Sequence, residues 1–178
     1  MSKYLTLVAV GDDNSNKTEL LLKYTGNHCA RYNKFVVPRF KNNVQSIVVD
    51  HVCWTVCFVD AESDDHYSVL RRAAYEKADC ILLCYSVKSR SSFKSVYKKW
   101  CLEVRKHAPL VPIILIATDT EARSAAAAAA ATVSTEQGEN LKLLIGAYAF
   151  IECSVEHFLG IDDIFIEAVR STYQRTKF

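Results

Sequence analysis

The stretch Gly11-Asp12-Asp13-Asn14-Ser15-Asn16-Lys17-Thr18 is where this sequence comes nearest to a recognisable chemistry. It follows an apolar run, Tyr4–Val10, and opens an amphipathic one, Lys17–Tyr24, so it joins a strand to a helix. In that setting the pattern GxxxxGK[ST] binds phosphate. Backbone N–H groups turn inward at the helix N-terminus, the lysine pairs with phosphate oxygens, and the hydroxyl holds Mg²⁺. Gly11, Lys17 and Thr18 fit, whereas Asn16 stands where the second glycine belongs. Asparagine tolerates left-handed backbone better than most residues, though poorly beside glycine. The plainer alternative is a helix start capped by Asn14 or Ser15.

Other reactive side chains are dispersed. His51, His66, His107 and His157 have no i,i+4 partner, His28 sits by Cys29, and no ligand pair has zinc-like spacing. Asp64 and Asp65 beside His66 could do acid–base work, but read better as a solvated loop. Lys94, Lys98 and Lys99 form the wet face of a helix. Trp54 is either an exposed aromatic anchor or packed on its hairpin. The cysteines number 7, without CxxC spacing, and Cys53, Cys57, Cys80 and Cys84 lie in apolar runs. They read as reduced, buried thiols of a cytoplasmic protein.

The elements that must position these groups are legible as apolar segments. Short β-rich runs occur at Tyr4–Val10, Val44–Val49, Trp54–Asp60, Cys80–Ser86, Pro112–Thr118 and Tyr148–Cys153. Lys17–Tyr24, Ser91–His107 and Ile161–Tyr173 carry helical spacing. Alternating strands and helices predict a mainly parallel sheet covered on both faces. Only residues 50–53 separate the second and third runs, too few for a crossover, so that pair is an antiparallel hairpin. The expectation is one α/β domain over residues 1–178: a six-stranded, mostly parallel sheet with one antiparallel edge strand. Residues 125–131 are all alanine, either a natural exposed helix or an engineered replacement; the second is favoured because nothing else here is low-complexity.

Composition excludes several classes. Half of the 178 residues are hydrophobic (50%) and 24% charged, which suits a packed domain and not a disordered chain. Lys+Arg 22 against Asp+Glu 20 leaves a net charge of +2, which points to no nucleic-acid partner. The apolar runs are too short to span a bilayer, and the N-terminus lacks a signal-peptide pattern. Gln174-Arg175-Thr176-Lys177-Phe178 contains no CaaX box, so membrane attachment would need a lipidated tail beyond these residues.

Taken together, the segments resemble small GTPases of the Ras superfamily, most closely the Rho/Rac branch. Tyr75-Glu76-Lys77-Ala78-Asp79-Cys80-Ile81-Leu82-Leu83-Cys84-Tyr85-Ser86 is similar to that branch's switch II exit and fourth strand. Ser91-Ser92-Phe93, Lys99-Trp100 and Glu103-Val104-Arg105 resemble its third helix. Pro112–Ile116 with Thr118 resembles its fifth strand, and Glu152-Cys153-Ser154 its ECSA motif. The implied fold is the P-loop small-GTPase fold, and the implied role is signalling.

The resemblance also says what the nucleotide motifs should contain, and this chain departs from each. Asp13 and Asn16 replace phosphate-loop glycines. A carboxylate about 4 Å from a γ-phosphate charge is repelled by about 4 kcal/mol at an effective dielectric near 20. Phe35-Val36-Val37-Pro38-Arg39-Phe40 aligns with YVPTVF, so Pro38 replaces the switch I threonine and offers neither hydroxyl nor N–H. Asp60-Ala61-Glu62-Ser63-Asp64-Asp65 aligns with DTAGQE. Asp60 is kept, while Ser63 replaces the γ-phosphate-sensing glycine and Asp64 the glutamine that orients the attacking water. Thr118-Asp119-Thr120-Glu121 aligns with TKxD, so Asp119 reverses the charge of the base-flanking lysine and Glu121 lengthens the base-binding carboxylate. Cys29 aligns with the aromatic that stacks on the purine.

The expected nucleotide-site residues are therefore Gly11, Asp13, Asn16, Lys17, Thr18, Asp60, Thr118, Asp119, Glu121 and Ser154. Thr18 and Asp60 are the magnesium partners if Mg²⁺ binds, and no catalytic residue is expected. If each lost contact costs about 1–2 kcal/mol, affinity falls by about four to six decades. The implied reading is a pseudoGTPase without a nucleotide cofactor; the alternative is an atypical GTPase holding GTP or GDP with Mg²⁺. Partner proteins would grip the switch I and II surface: Phe35, Val36, Val37, Arg39, Phe40, Tyr67, Leu70 and Arg71.

Overall fold

The computed structural model describes residues 3–26, 43–124 and 131–175. The switch I segment, Cys29, His28 and residues 125–130 of the alanine run lie outside them. β1 (Lys3–Val10) leads through a 3₁₀ turn, Asp13–Ser15, into α1 (Lys17–Tyr24). β2 (Asn43–Val49) and β3 (Val52–Asp60) form the expected antiparallel hairpin. Its turn places Asp50 and His51 at φ 50° and 63°, the doubly left-handed geometry that matches the twist of two-residue hairpins.

α2 (Ser68–Lys77) precedes β4 (Cys80–Ser86). α3 occupies residues 90–107 in consecutive pieces: Arg90–Ser95, a π-helical turn at Val96–Trp100, and Cys101–His107. β5 (Ile113–Thr118), α4 (Thr135–Ile145), β6 (Ala149–Glu152) and α5 (Ile161–Arg175) complete the fold. The six-stranded sheet has the order β2-β3-β1-β4-β5-β6, and every pairing except β2–β3 is parallel. Among the described residues no helix is long and apolar enough to cross a membrane.

Two apolar layers flank the sheet. On one face Leu5, Leu7, Phe58 and Ile114 pack against Leu20 and Leu21 of α1 and Phe165 and Val169 of α5. On the other, Val8, Val10, Leu83 and Leu115 pack against Tyr75, Trp100, Val104 and Leu141. Trp54 belongs to the first layer. It is 5% exposed and meets Tyr173 edge to face, so the packed reading holds and the exposed-anchor reading does not. The buried-thiol expectation holds for Cys80 and Cys84. It fails for Cys53, which is exposed, and for Cys57, which is half-buried. Strand alternation explains the difference, because both point away from the face that buries Trp54, Val56 and Phe58.

This topology fixes where a site can form. β1 is flanked by β3 and β4; the chain runs from β1 to the β2–β3 hairpin on one side and crosses from β3 to β4 on the other, so the strand order reverses at β1. The loops after the C-terminal ends of β1, β3, β4 and β5 converge there. They carry Gly11–Lys17, Asp60–Asp65, Ser86–Ser89 and Thr118–Glu121.

Candidate functional site

The phosphate loop keeps its tight turn at Gly11. A Cβ there would lie 2.5 Å from the Cys84 carbonyl oxygen and 2.8 Å from Ser15 Oγ, at a backbone φ of +154°. No side chain fits, which explains why this glycine survives. Asn16 adopts φ 61° and ψ 20°, the left-handed geometry for which the second glycine would be suited. Neither Asn14 nor Ser15 caps α1. Asn14 Nδ2 donates to Ser89 Oγ at 3.1 Å, and Ser15 Oγ is buried without a partner. The alternative of a helix start capped by Asn14 or Ser15 therefore does not hold.

The cradle's side chains are engaged with one another. Asn16 Nδ2 donates to Asp119 Oδ1 at 2.9 Å. The Ser86 hydroxyl donates to Asp119 Oδ2, and Lys88 Nζ lies 3.3 Å from Asp119 Oδ1. Asp119 itself sits at φ 61° and is only 6% exposed. The residue aligned with the base-flanking lysine thus turns back onto the phosphate loop. Thr118 Oγ1 braces the same corner, donating to the carbonyls of Ser15 (2.8 Å) and Tyr85 (3.2 Å). On the other side Ser63 Oγ donates to the Asp13 carboxylate, and Trp100 Nε1 donates to Asp12 Oδ1 at 2.7 Å.

Lys17, Thr18 and Asp60 form a separate corner. Lys17 is 4% exposed with Nζ 3.5 Å from Asp60 Oδ1, while Thr18 Oγ1 donates to Asp60 Oδ2 at 2.5 Å. Burial raises the Asp60 carboxyl above the usual carboxylate range, and the Lys17 ammonium and Thr18 hydroxyl only partly offset it. Asp60 Oδ1 accepts no hydrogen bond. The donor set in this corner fits a phosphate beside Lys17 and a magnesium ion approached by Thr18 and Asp60.

The remainder of the site departs from the residue types that the resemblance leads one to expect. A cavity of about 240 Å³ is lined by Asn16, Glu19, Lys23, Lys88, Asp119, Glu121, Val155 and Glu156, which include the residues aligned with the guanine-binding motif. Its lining carries the carboxylates of Glu19, Asp119, Glu121 and Glu156 and the ammonium groups of Lys23 and Lys88. Glu121 Oε2 is buried without a hydrogen bond. Ser154 is turned away: its Oγ accepts from the His157 amide at 3.1 Å, within its own turn.

In the loop aligned with switch II, Asp64 is engaged with its own neighbour. The Asp64 carboxylate accepts from the His66 amide at 2.9 Å and meets His66 Nδ1 at 2.7 Å. Those bonds hold Asp64 below, and His66 above, their ordinary ranges, as expected of an exposed ion pair. Of the expected partner-binding residues, Tyr67 (42% exposed) and Leu70 (66%) do face outward. Arg71 does not. It is buried because its guanidinium pairs with both oxygens of Glu103, at 2.8 and 3.1 Å, over the ring of Trp100. Phe35, Val36, Val37, Arg39 and Phe40 lie outside the described residues. Sequence reasoning missed Asp12, Ser86, Lys88 and Glu103 as members of the site, because each acts through a partner distant in sequence.

The order of the strands, the cradle at the switch point and the Lys17–Thr18–Asp60 corner define a phosphate-loop α/β protein, and this chain belongs to the Ras family of small GTPases, whose family profile matches residues 6–174. It is 31% identical over 173 residues to the Ras-like GTP-binding protein RhoL of Drosophila melanogaster, covering 97% of this chain and 89% of that relative. Members of the family typically bind GTP or GDP with Mg²⁺.

Proposed function

We propose that this chain is a Rho-branch pseudoGTPase: a Ras-family fold that has lost hydrolysis and tight GTP binding and serves as a constitutive protein-binding module. The observation that carries the reading is the Asn16–Asp119 hydrogen bond, 2.9 Å across the interior of the site. It joins the residue at the missing phosphate-loop glycine to the residue at the missing base-flanking lysine. Two departures that each weaken nucleotide binding are thus mutually compensating as polar partners. Partner proteins dock on the exposed Tyr67–Leu70 surface and the adjoining groove of about 540 Å³ beneath α2, lined by Val59, Tyr67, Leu70, Ala73 and Ala74. The similarity to RhoL favours the Rho branch for this chain without carrying over that protein's activity.

Mass spectrometry of the purified protein tests the reading. The expected result is no stoichiometric nucleotide, no thermal shift on adding Mg-GTP, and partner capture that is indifferent to GTP, GDP or chelator. Stoichiometric GDP or GTP would instead establish the second reading, an atypical nucleotide-holding GTPase. The intact Lys17–Thr18–Asp60 corner is the observation in its favour.

A further inference from the structure

The loop between β3 and α2 is gripped from two sides by groups of the chain itself. From the phosphate loop, the Asp13 carboxylate accepts from Ser63 Oγ. From α2, Arg71 Nη1 donates to the carbonyls of Glu62 at 2.9 Å and Asp64 at 2.6 Å. Arg71 is anchored in turn by Glu103 and stacked over Trp100, 5.2 Å from its ring centre. Trp100 closes the circuit, donating Nε1 to Asp12, the neighbour of Asp13, at 2.7 Å. The π-helical turn Val96–Trp100 is the local distortion in α3 at which this indole is set. Phosphate loop, loop 61–65, α2 and α3 are thereby linked in a ring of hydrogen bonds and stacking contacts.

We propose that Asp13 is a positioning residue whose carboxylate stands in for a terminal phosphate. It supplies in cis the negative charge to which loop 61–65 is fastened, and so holds the Tyr67–Leu70 surface in one arrangement without a ligand. The inference rests on the pseudoGTPase reading. A phosphate loop favours negative charge at this place, and Asp13 brings one. Ser63 stands at the position where the resemblance expects a backbone sensor of phosphate, and its hydroxyl reaches the carboxylate that replaces that phosphate. The two substitutions complement each other as acceptor and donor, and Arg71 fixes the carbonyls on either side of Ser63.

Hydrogen–deuterium exchange on the full chain tests this. In Ser63→Ala and in Asp13→Gly, the amides of residues 62–67 should exchange about tenfold faster than in wild type. Asp13→Asn, which keeps an acceptor oxygen, should fall between. The amides of β1 and β4 should be unchanged throughout, and adding Mg-GTP should leave the wild-type pattern alone. Ser63→Ala carries the test if the loop variants fail to fold. Wild-type exchange rates at 62–67 in Ser63→Ala overturn the proposal, as does an increase shared equally by β1 and β4, which reports global opening. The nucleotide content of the same preparations separates the two failures: bound nucleotide refutes the pseudoGTPase reading, whereas unchanged exchange in nucleotide-free protein refutes the latch alone.

Discussion

Replacing Arg71 with methionine should be among the most destabilising single changes in this protein, although Arg71 lies on a helix bordering solvent. Its side chain is 1% exposed and that of Glu103 23%. The guanidinium makes two bonds to the Glu103 carboxylate and two to loop carbonyls. Methionine preserves the packing over Trp100 but deprives Glu103 of its direct ion-pair partner, leaving Tyr75 Oη, donating at 2.9 Å, and the more distant Lys99 ammonium. Breaking a buried pair from one side costs about 3–5 kcal/mol. The residual exposure of Glu103 puts this case near the lower bound, about 3 kcal/mol, or about 6–12 °C in melting temperature for a domain of this size. Replacing both partners, Arg71→Met with Glu103→Leu, should recover most of the loss, because no charge is then left unpaired. Burial pushes the Glu103 carboxyl up, but the bonds from Arg71 and Tyr75 outweigh it and hold it below the usual range. A depressed carboxylate contributes stability that is full above its unfolded pKa, about 4.3, and is lost as pH falls through its folded value. The gap between wild type and Arg71→Met should therefore narrow below about pH 4. Urea denaturation at pH 7 and at acid pH measures both effects. A cost for Arg71→Met under about 1 kcal/mol, or a double variant as unstable as the sum of the singles, would refute the reasoning.

Trp54 and the cysteines give two further checks. Trp54→Ala should cost about 3–5 kcal/mol by opening a cavity against Tyr173. Trp54→Phe should cost far less, because the buried Trp54 Nε1 has no hydrogen bond to lose; thermal melts of the pair distinguish packing from polar anchoring. Under iodoacetamide at pH 8, mass spectrometry should find Cys53 alkylated well before Cys80 and Cys84, whose thiols are buried and pushed up to about 12 by desolvation.

All six strands were legible as apolar runs, as were the hairpin and the helices α1, α3 and α5, because their stripes are apolar and regular. α2 and α4 were not. The buried residues of α2 are Arg71 and Tyr75, while Val69 and Leu70 are exposed, so its inner face is not the apolar one. α4 buries Gly138, Leu141 and Ile145 and exposes Leu143 and Leu144, which blurs its period. Its capping box, Ser134 with Gln137, was the sequence signal that could have found it. At the site, residue types disclosed where this chain departs from the family's motifs but not what those residues meet. That depends on Asn16 meeting Asp119 and Asp13 meeting Ser63, pairings that only the converging strand ends bring about.

Those pairings bear on how a polar cradle with these substitutions keeps its scaffold folded. A buried polar cradle that loses its ligand would leave donors and carboxylates unpartnered, at about 1–3 kcal/mol for each orphaned group. Here Asp119 is satisfied by Asn16, Ser86 and Lys88, and Asp12 by Trp100. The groups left without hydrogen bonds in this region are Ser15 Oγ, Asp60 Oδ1 and Glu121 Oε2. Of these, Asp60 Oδ1 still has the Lys17 ammonium at 3.5 Å. The substitutions are therefore not independent losses. Asp119 without Asn16 would be a buried carboxylate lacking its phosphate-loop partner, and Asn16 without Asp119 an amide at left-handed φ with no bond to hold it. The two side chains are partners across the site, so replacing one is expected to affect the other.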